Sequence, residues 1–218
     1  MSSLLVTKPV EVTNRLADLG WTVEDLQEVI STMVGARRSC TENHPPSAPG
    51  WMSWADGIRR MRDIALPKGL IRADADGIPW TFDPIRNIRF AVANTDDGTG
   101  IEGRIPQNCS KKGAATAQAV NGNQLGIFDW LSEEPEAALL KRKTCPITLV
   151  SWYLCVFVEG DTVRAELSCP VETDAGYFSD FSERIFVLSG HPGDEFTKRN
   201  YGTEDGSEPE YLISVTRK

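Results

Sequence analysis

The chain has 218 residues, 40% of them hydrophobic and 25% charged, with 23 basic against 31 acidic side chains for a formal net charge of −8. That length suits one large domain or two small ones, and the composition is that of an ordinary globular chain. The acidic balance argues against contact with nucleic acid or an anionic membrane over the whole surface. No run approaches the roughly 18 apolar residues of a membrane helix, and the first residues lack a long apolar region with a cleavage site, so a soluble cytoplasmic protein is expected.

Residues 1–9 read as a flexible N-terminus. Val12, Leu16 and Leu19 then share one face of a short helix that Gly20 ends. Thr22, followed by Glu24 and Asp25, supplies an N-cap with acids in the first turn, and Leu26, Val29, Ile30, Met33 and Val34 keep a 3.6-residue period behind it. The stretch SCTENHPPSAPG, with three prolines, is a loop. Ser53 can cap a third helix in which Trp54, Ile58, Met61 and Ala65 form the apolar stripe. Its other face carries Arg59, Arg60 and Arg62, but Asp56 and Asp63 stand four residues from Arg60 and Arg59, as in a solvated, ion-paired face. The long loop before it also disfavours a helix-turn-helix, which needs a tight turn.

After Gly69 the period changes to two, with a turn signal at Asp76-Gly77 and a strand over Ile85 to Ala93. The strongest β signal lies between Pro146 and Pro170, where a hairpin turning at Gly160-Asp161 pairs residues whose numbers sum to 321. That register puts Leu154, Val156 and Val158 opposite Leu167, Ala165 and Val163 on one apolar face. Tyr153, Cys155 and Phe157 fall opposite Ser168, Glu166 and Arg164 on a mixed face, and Cys155 and Cys169 do not meet. Further strands are expected at Arg184 to Leu188 and Tyr211 to Thr216, with a helical stretch from Gly126 to Lys143. The fold expected is α+β: an N-terminal helical layer on a mostly antiparallel sheet of four to six strands, with a long polar loop and a further helix inserted. It forms a single domain over 10–218, divisible into a helical part 10–68 and a sheet-rich part 69–218. Six tryptophans spread over both parts suggest one shared core.

Five cysteines without a C-x-x-C pair and only two histidines leave disulfide frameworks, structural zinc and His-based catalysis poorly supplied. No catalytic residue, metal or cofactor is assigned. The segment from Asn94 to Gln124 resists a packing explanation, being about thirty residues long with few large apolar side chains. It reads as a binding loop, mobile or ordered by a partner, beside a purely structural reading and a catalytic or anion-binding one. Its candidate binding residues are Asp96, Asp97, Arg104, Lys111 and Lys112. Ser110 can cap a helix over Ala114 to Val120, setting both lysines at a helix N-terminus where an anion is favoured. Cys109, beside those charges, is the candidate reactive thiol. Asp96 and Asp97, with Asp83, are the residues a phosphate-bound Mg²⁺ would use.

The leading functional expectation is a non-enzymatic binding or regulatory protein with a protein partner. Residues 144–218 hold 13 acids against 6 bases, a surface suited to a basic partner. The alternatives are an anion or nucleic-acid contact through the basic loop at 104–112, and a phosphate-substrate enzyme using Asp96 and Asp97 or Cys109.

Overall fold

Helix signals near the N-terminus act as their chemistry requires. A computed structural model describes residues 3–131 and 149–189, with side chains up to 123 in the first stretch. Helix α1 (Pro9–Asp18) starts with proline in its first turn and gives way to Gly20 at φ +84°. Helix α2 (Val23–Arg38) opens with a capping box: Thr22 Oγ1 accepts from Asp25 N–H at 3.1 Å, and Asp25 Oδ2 accepts from Thr22 N–H at 2.7 Å. Helix α3 (Ala48–Ala65) begins five residues before Ser53, because Pro49 in its first turn is already set for helix. Ser53 is therefore not a cap; it is buried, and its hydroxyl donates to Asn94 Oδ1 at 3.3 Å.

Among the described residues seven strands form one mixed sheet, more than the four to six expected: β1 (Leu4–Val6), β2 (Ile71–Ala75), β3 (Ile78–Asp83), β4 (Ile88–Asn94), β5 (Val150–Glu159), β6 (Thr162–Asp174) and β7 (Tyr177–Leu188), in the order β1-β7-β6-β5-β4-β3-β2. The strand not expected is β1, at the N-terminus. Leu4 to Val6, placed in a flexible lead-in, pair parallel with Glu183 to Ile185. The β4–β5 seam is also parallel, and the other four pairings are antiparallel. The β5–β6 hairpin runs from Tyr153 opposite Ser168 to Glu159 opposite Thr162, each pair summing to 321. The expected strand Tyr211 to Thr216 lies outside the described residues.

Strand alternation then divides the interior. On one face, Leu154, Val156, Leu167 and Phe90 meet Leu26, Ile30 and Met33 of α2 and Ile58 and Met61 of α3. Trp21 packs edge-on to Phe90 at 5.4 Å between centroids. Gly57 permits the close approach of α2 and α3, since a Cβ there would stand 2.6 Å from Met33 Cγ. On the other face, Tyr153 and Cys155 join Trp80, Phe178 and Phe181 beneath Ala119 and Val120 of α4 (Ala114–Leu131). The single tryptophan-linked core becomes two, one on each face of the sheet. Cys155 and Cys169 lie in different cores as free thiols. Burial holds Cys155 well above the ordinary thiol value and pushes Cys169 up to about 12.

Two prolines interrupt the ladders. The β3–β4 register, Asp83 opposite Ile88 through Thr81 opposite Phe90, would oppose Trp80 to Ala91 and then Pro79 to Val92, but it stops at Thr81. Pro79 has no N–H to give. Likewise Pro170 would oppose Ser151, and there Asn123 of α4 substitutes. Its Nδ2 donates to Ser151 O at 2.9 Å and Pro170 O at 2.7 Å, while its Oδ1 accepts from Ser151 N–H at 2.7 Å. Helix α4 is one element over Ala114–Leu131; the expected helical stretch to Lys143 continues beyond the described residues. No helix among the described residues is long and apolar enough to cross a membrane.

Candidate functional site

The long polar segment follows a defined path across the mixed face of the β5–β6 hairpin. A buried ion pair fixes it. Arg184 donates to both oxygens of Glu166 at 2.8 and 2.6 Å, and Glu166 also accepts from Ser168 Oγ at 2.7 Å and from the Gly100 N–H at 2.8 Å. The remaining guanidinium N–H groups reach loop carbonyls, with Arg184 Nη1 donating to Arg104 O at 2.5 Å. Arg164 adds bonds to the carbonyls of Thr99 and Asp97 at 2.8 and 2.7 Å. A loop with few apolar side chains is thus held by charged anchors from β6 and β7 rather than by packing.

Three of the five expected binding residues serve that loop. Asp96 Oδ1 accepts from Gly98 N–H at 3.1 Å and Gln107 N–H at 2.9 Å, an Asx turn. Asp97 and Arg104 form a two-pronged pair at 2.8 and 2.9 Å. Asp83 lies at the other end of β4, where it accepts from Arg86 Nη1 at 2.8 Å, so the three aspartates are not one cation site. Among the described residues no three His, Cys, Asp or Glu side chains gather as metal ligands. The arginines of α3 are paired as well: Arg59 with Asp56 and Asp63, Arg60 with Glu28, and Arg62 with Asp74.

Lys111 and Lys112 are placed differently. The turn between β6 and β7 meets them at Gly176, whose carbonyl accepts from Lys112 N–H at 2.9 Å and from Asn108 Nδ2 at 3.0 Å. Gly176 has φ +91°, and a Cβ there would come within 2.7 Å of Lys111 Cγ, so no other residue fits. Both lysines line a half-open cavity of about 340 Å³. It is lined by Ala91 and Val92 of β4, Tyr153 of β5, Ile78 and Pro79 of β3, and Trp54 of α3. The N-terminus of α4 closes the far end with Gly113, Ala115 and Thr116. The first turn of α4 holds no acid, and Ser110 is not its cap, since Gly113 immediately precedes the helix.

Tyr153 is 2% exposed and wedged between Trp80 and Phe178, with centroids at 5.5 and 5.0 Å. Burial keeps its phenol far above the usual value, hence neutral and able to donate. The Thr116 hydroxyl is near enough to ease ionisation yet outside hydrogen-bond geometry, so Tyr153 Oη has no hydrogen-bond partner among the described residues. Burial lowers the Lys112 ammonium below the ordinary lysine value, against Cys155 and Cys109, which pull it up. A partly desolvated cation, a helix N-terminus and an unsatisfied hydroxyl therefore share one cavity, an arrangement that stabilises negative charge.

Cys109 is exposed at the margin of this region, and its N–H donates to Asn94 O at 3.0 Å. Burial of its thiol and the Asp96 carboxylate push it upward, outweighing Arg37 and Lys112. That direction is opposite to the one the neighbouring lysines alone would give. Cys40 and His44 are engaged locally: the Cys40 thiol lies 3.4 Å from Met52 Sδ, and His44 Nδ1 accepts from Thr41 N–H at 3.0 Å. Tyr153, Trp54 and Gly176 carry no sequence signal as site residues. Comparison with known proteins finds no matching family model, curated protein or solved structure.

Proposed function

We propose that the protein is a non-enzymatic binding protein for a small organic anion, a carboxylate or a phosphate ester, held in the cavity at the N-terminus of α4. The observation that carries this reading is the buried Tyr153 hydroxyl, unpartnered in a cavity that also holds Lys111 and Lys112. An oxyanion there accepts from Tyr153 Oη and from the first N–H groups of α4. The apolar part of the ligand lies against Ile78, Pro79 and Trp54. At about 340 Å³ the cavity is near the small end of ligand pockets.

The other readings have less behind them. A nucleic-acid contact through 104–112 loses Arg104 to Asp97, and the arginines of α3 are ion-paired. A partner met through acidic residues 204–210 involves positions outside the described residues.

Titration with acetate and with inorganic phosphate, read by tryptophan fluorescence and by the amide signals of Ala114 and Ala115, tests the proposal. Saturable shifts are expected, with affinity falling at least tenfold in Lys112→Ala. Because a bound anion favours the charged amine, binding takes up protons at alkaline pH, which calorimetry in buffers of different ionisation enthalpy detects. Signals unchanged up to high millimolar anion would refute it.

A further inference from the structure

The cavity carries both signs of charge. Beside Lys111 and Lys112 it is lined by Asp76 and Gly77, the two residues of the turn between β2 and β3. Ala75 pairs with Ile78 across that turn, and Asp76 at φ +56° with Gly77 at φ +75° supplies the left-handed pair of a tight hairpin. The turn needs the backbone of Asp76 but not its charge, since Asn-Gly serves the same geometry. Among the described residues the Asp76 carboxylate makes no hydrogen bond or ion pair, whereas Asp74, two positions earlier, is held by Arg62. Arg89 feels the Asp76 charge, but its guanidinium is laid on the Trp80 ring at 4.0 Å and donates through Nε to Ser151 Oγ at 2.9 Å. Neither lysine ammonium forms an ion pair among the described residues, with Asp76 or with any other carboxylate. One cavity thus holds an anion and two cations that do not neutralise one another.

Resting on the small-anion reading, we infer that the ligand is a short ω-amino acid, whose carboxylate sits at the α4 N-terminus beside Lys111 and Lys112 and whose ammonium is held by Asp76. A simple carboxylate would meet Asp76 as a charge of its own sign, which weakens binding. An ammonium at the far end of the ligand turns that repulsion into a charge-assisted hydrogen bond. The two charges of the ligand stand apart because those of the cavity do: Asp76 belongs to the β2–β3 turn and the lysines to the segment before α4, out of ion-pair reach. The methylene chain between them lies against Ile78, Pro79 and Trp54. Asp76 is exposed, so it contributes a severalfold selectivity rather than the bulk of the affinity.

The test uses the full chain, ¹⁵N-labelled, with sodium valerate and δ-aminovalerate, two probes that differ only in the terminal ammonium. Both are expected to shift the amides of Ala114 and Ala115, and the amino acid alone to shift Gly77 as well. The amino acid is expected to bind at least about threefold more tightly than valerate. Asp76→Asn, which keeps the turn, is expected to erase that difference. Valerate binding as tightly as the amino acid, or a difference that survives in Asp76→Asn, overturns the inference and leaves the small-anion reading standing. Shifts from neither probe overturn both.

Discussion

Tyr153 concentrates the problem of this site in one atom. A buried hydroxyl without a partner costs about 1–3 kcal/mol, and this one sits between Trp80 and Phe178, where the ring itself is well packed. Tyr153→Phe keeps the ring and removes the cost, so thermal unfolding is expected at the same temperature or higher. If an anion accepts from that hydroxyl, the same variant loses roughly ten- to a hundredfold in affinity, the worth of a hydrogen bond to a charged group. Stability and binding thus move in opposite directions, which distinguishes a ligand-facing hydroxyl from a structural one. Asp83 shows the opposite economy. Burial alone would raise its carboxyl, but Arg86 and the N–H groups of Ile85 and Arg86 outweigh burial and hold it below the usual carboxylate range. A depressed folded-state value contributes stability above the ordinary value near 3.9 and loses it as pH falls through the folded one. Asp83→Asn is therefore expected to flatten the acid limb of a stability-against-pH curve below about pH 4. Denaturant melts at pH 2.5 to 5 would show it.

At the level of elements, charge does what apolar packing does elsewhere. The 95–112 connection is tied down by Glu166, which is 0% exposed, and Arg184, which is 5% exposed. Removing one member leaves the other ionised and buried, so Glu166→Ala is expected to cost about 3–5 kcal/mol in chemical denaturation. The loop would loosen with it, as faster hydrogen exchange at Gly100 and Gln107 would report. Such anchoring explains how much of the chain is legible before folding. The hairpin register was readable because alternation and turn position leave one arithmetic solution, and the α2 cap was readable because Thr22 and Asp25 are neighbours in sequence. Loop order was not readable, because its anchors Arg164, Glu166 and Arg184 lie more than sixty positions downstream in strands. Lys111 and Lys112 could be placed at a helix start from local pattern alone. Tyr153 could not, since within β5 it is only one more large side chain facing a mixed surface.

For the molecule as a whole, the division into two cores sets where binding can occur. The face under α1, α2 and α3 is filled by aliphatic side chains with Trp21, Phe90 and Trp152, whereas the face under α4 sets small residues, Ala91, Ala93 and Ala119, among four aromatic rings. Small side chains there leave room for the cavity at the α4 N-terminus, which Val92 and Trp54 of the first core also line. The sheet also joins distant parts of the chain, because the strand that begins it, Leu4–Val6, pairs with Glu183–Ile185 near the end of the described residues. During synthesis, then, β1 emerges first and has no neighbour until β7 leaves the ribosome. Helices α1 to α3 can gather early, but the β1 edge of the sheet is completed only when the chain is free through β7. A nascent chain stalled before residue 177 carries an unpaired first strand, open to pairing with another copy, so polysome crowding rather than the finished fold is where self-association would begin.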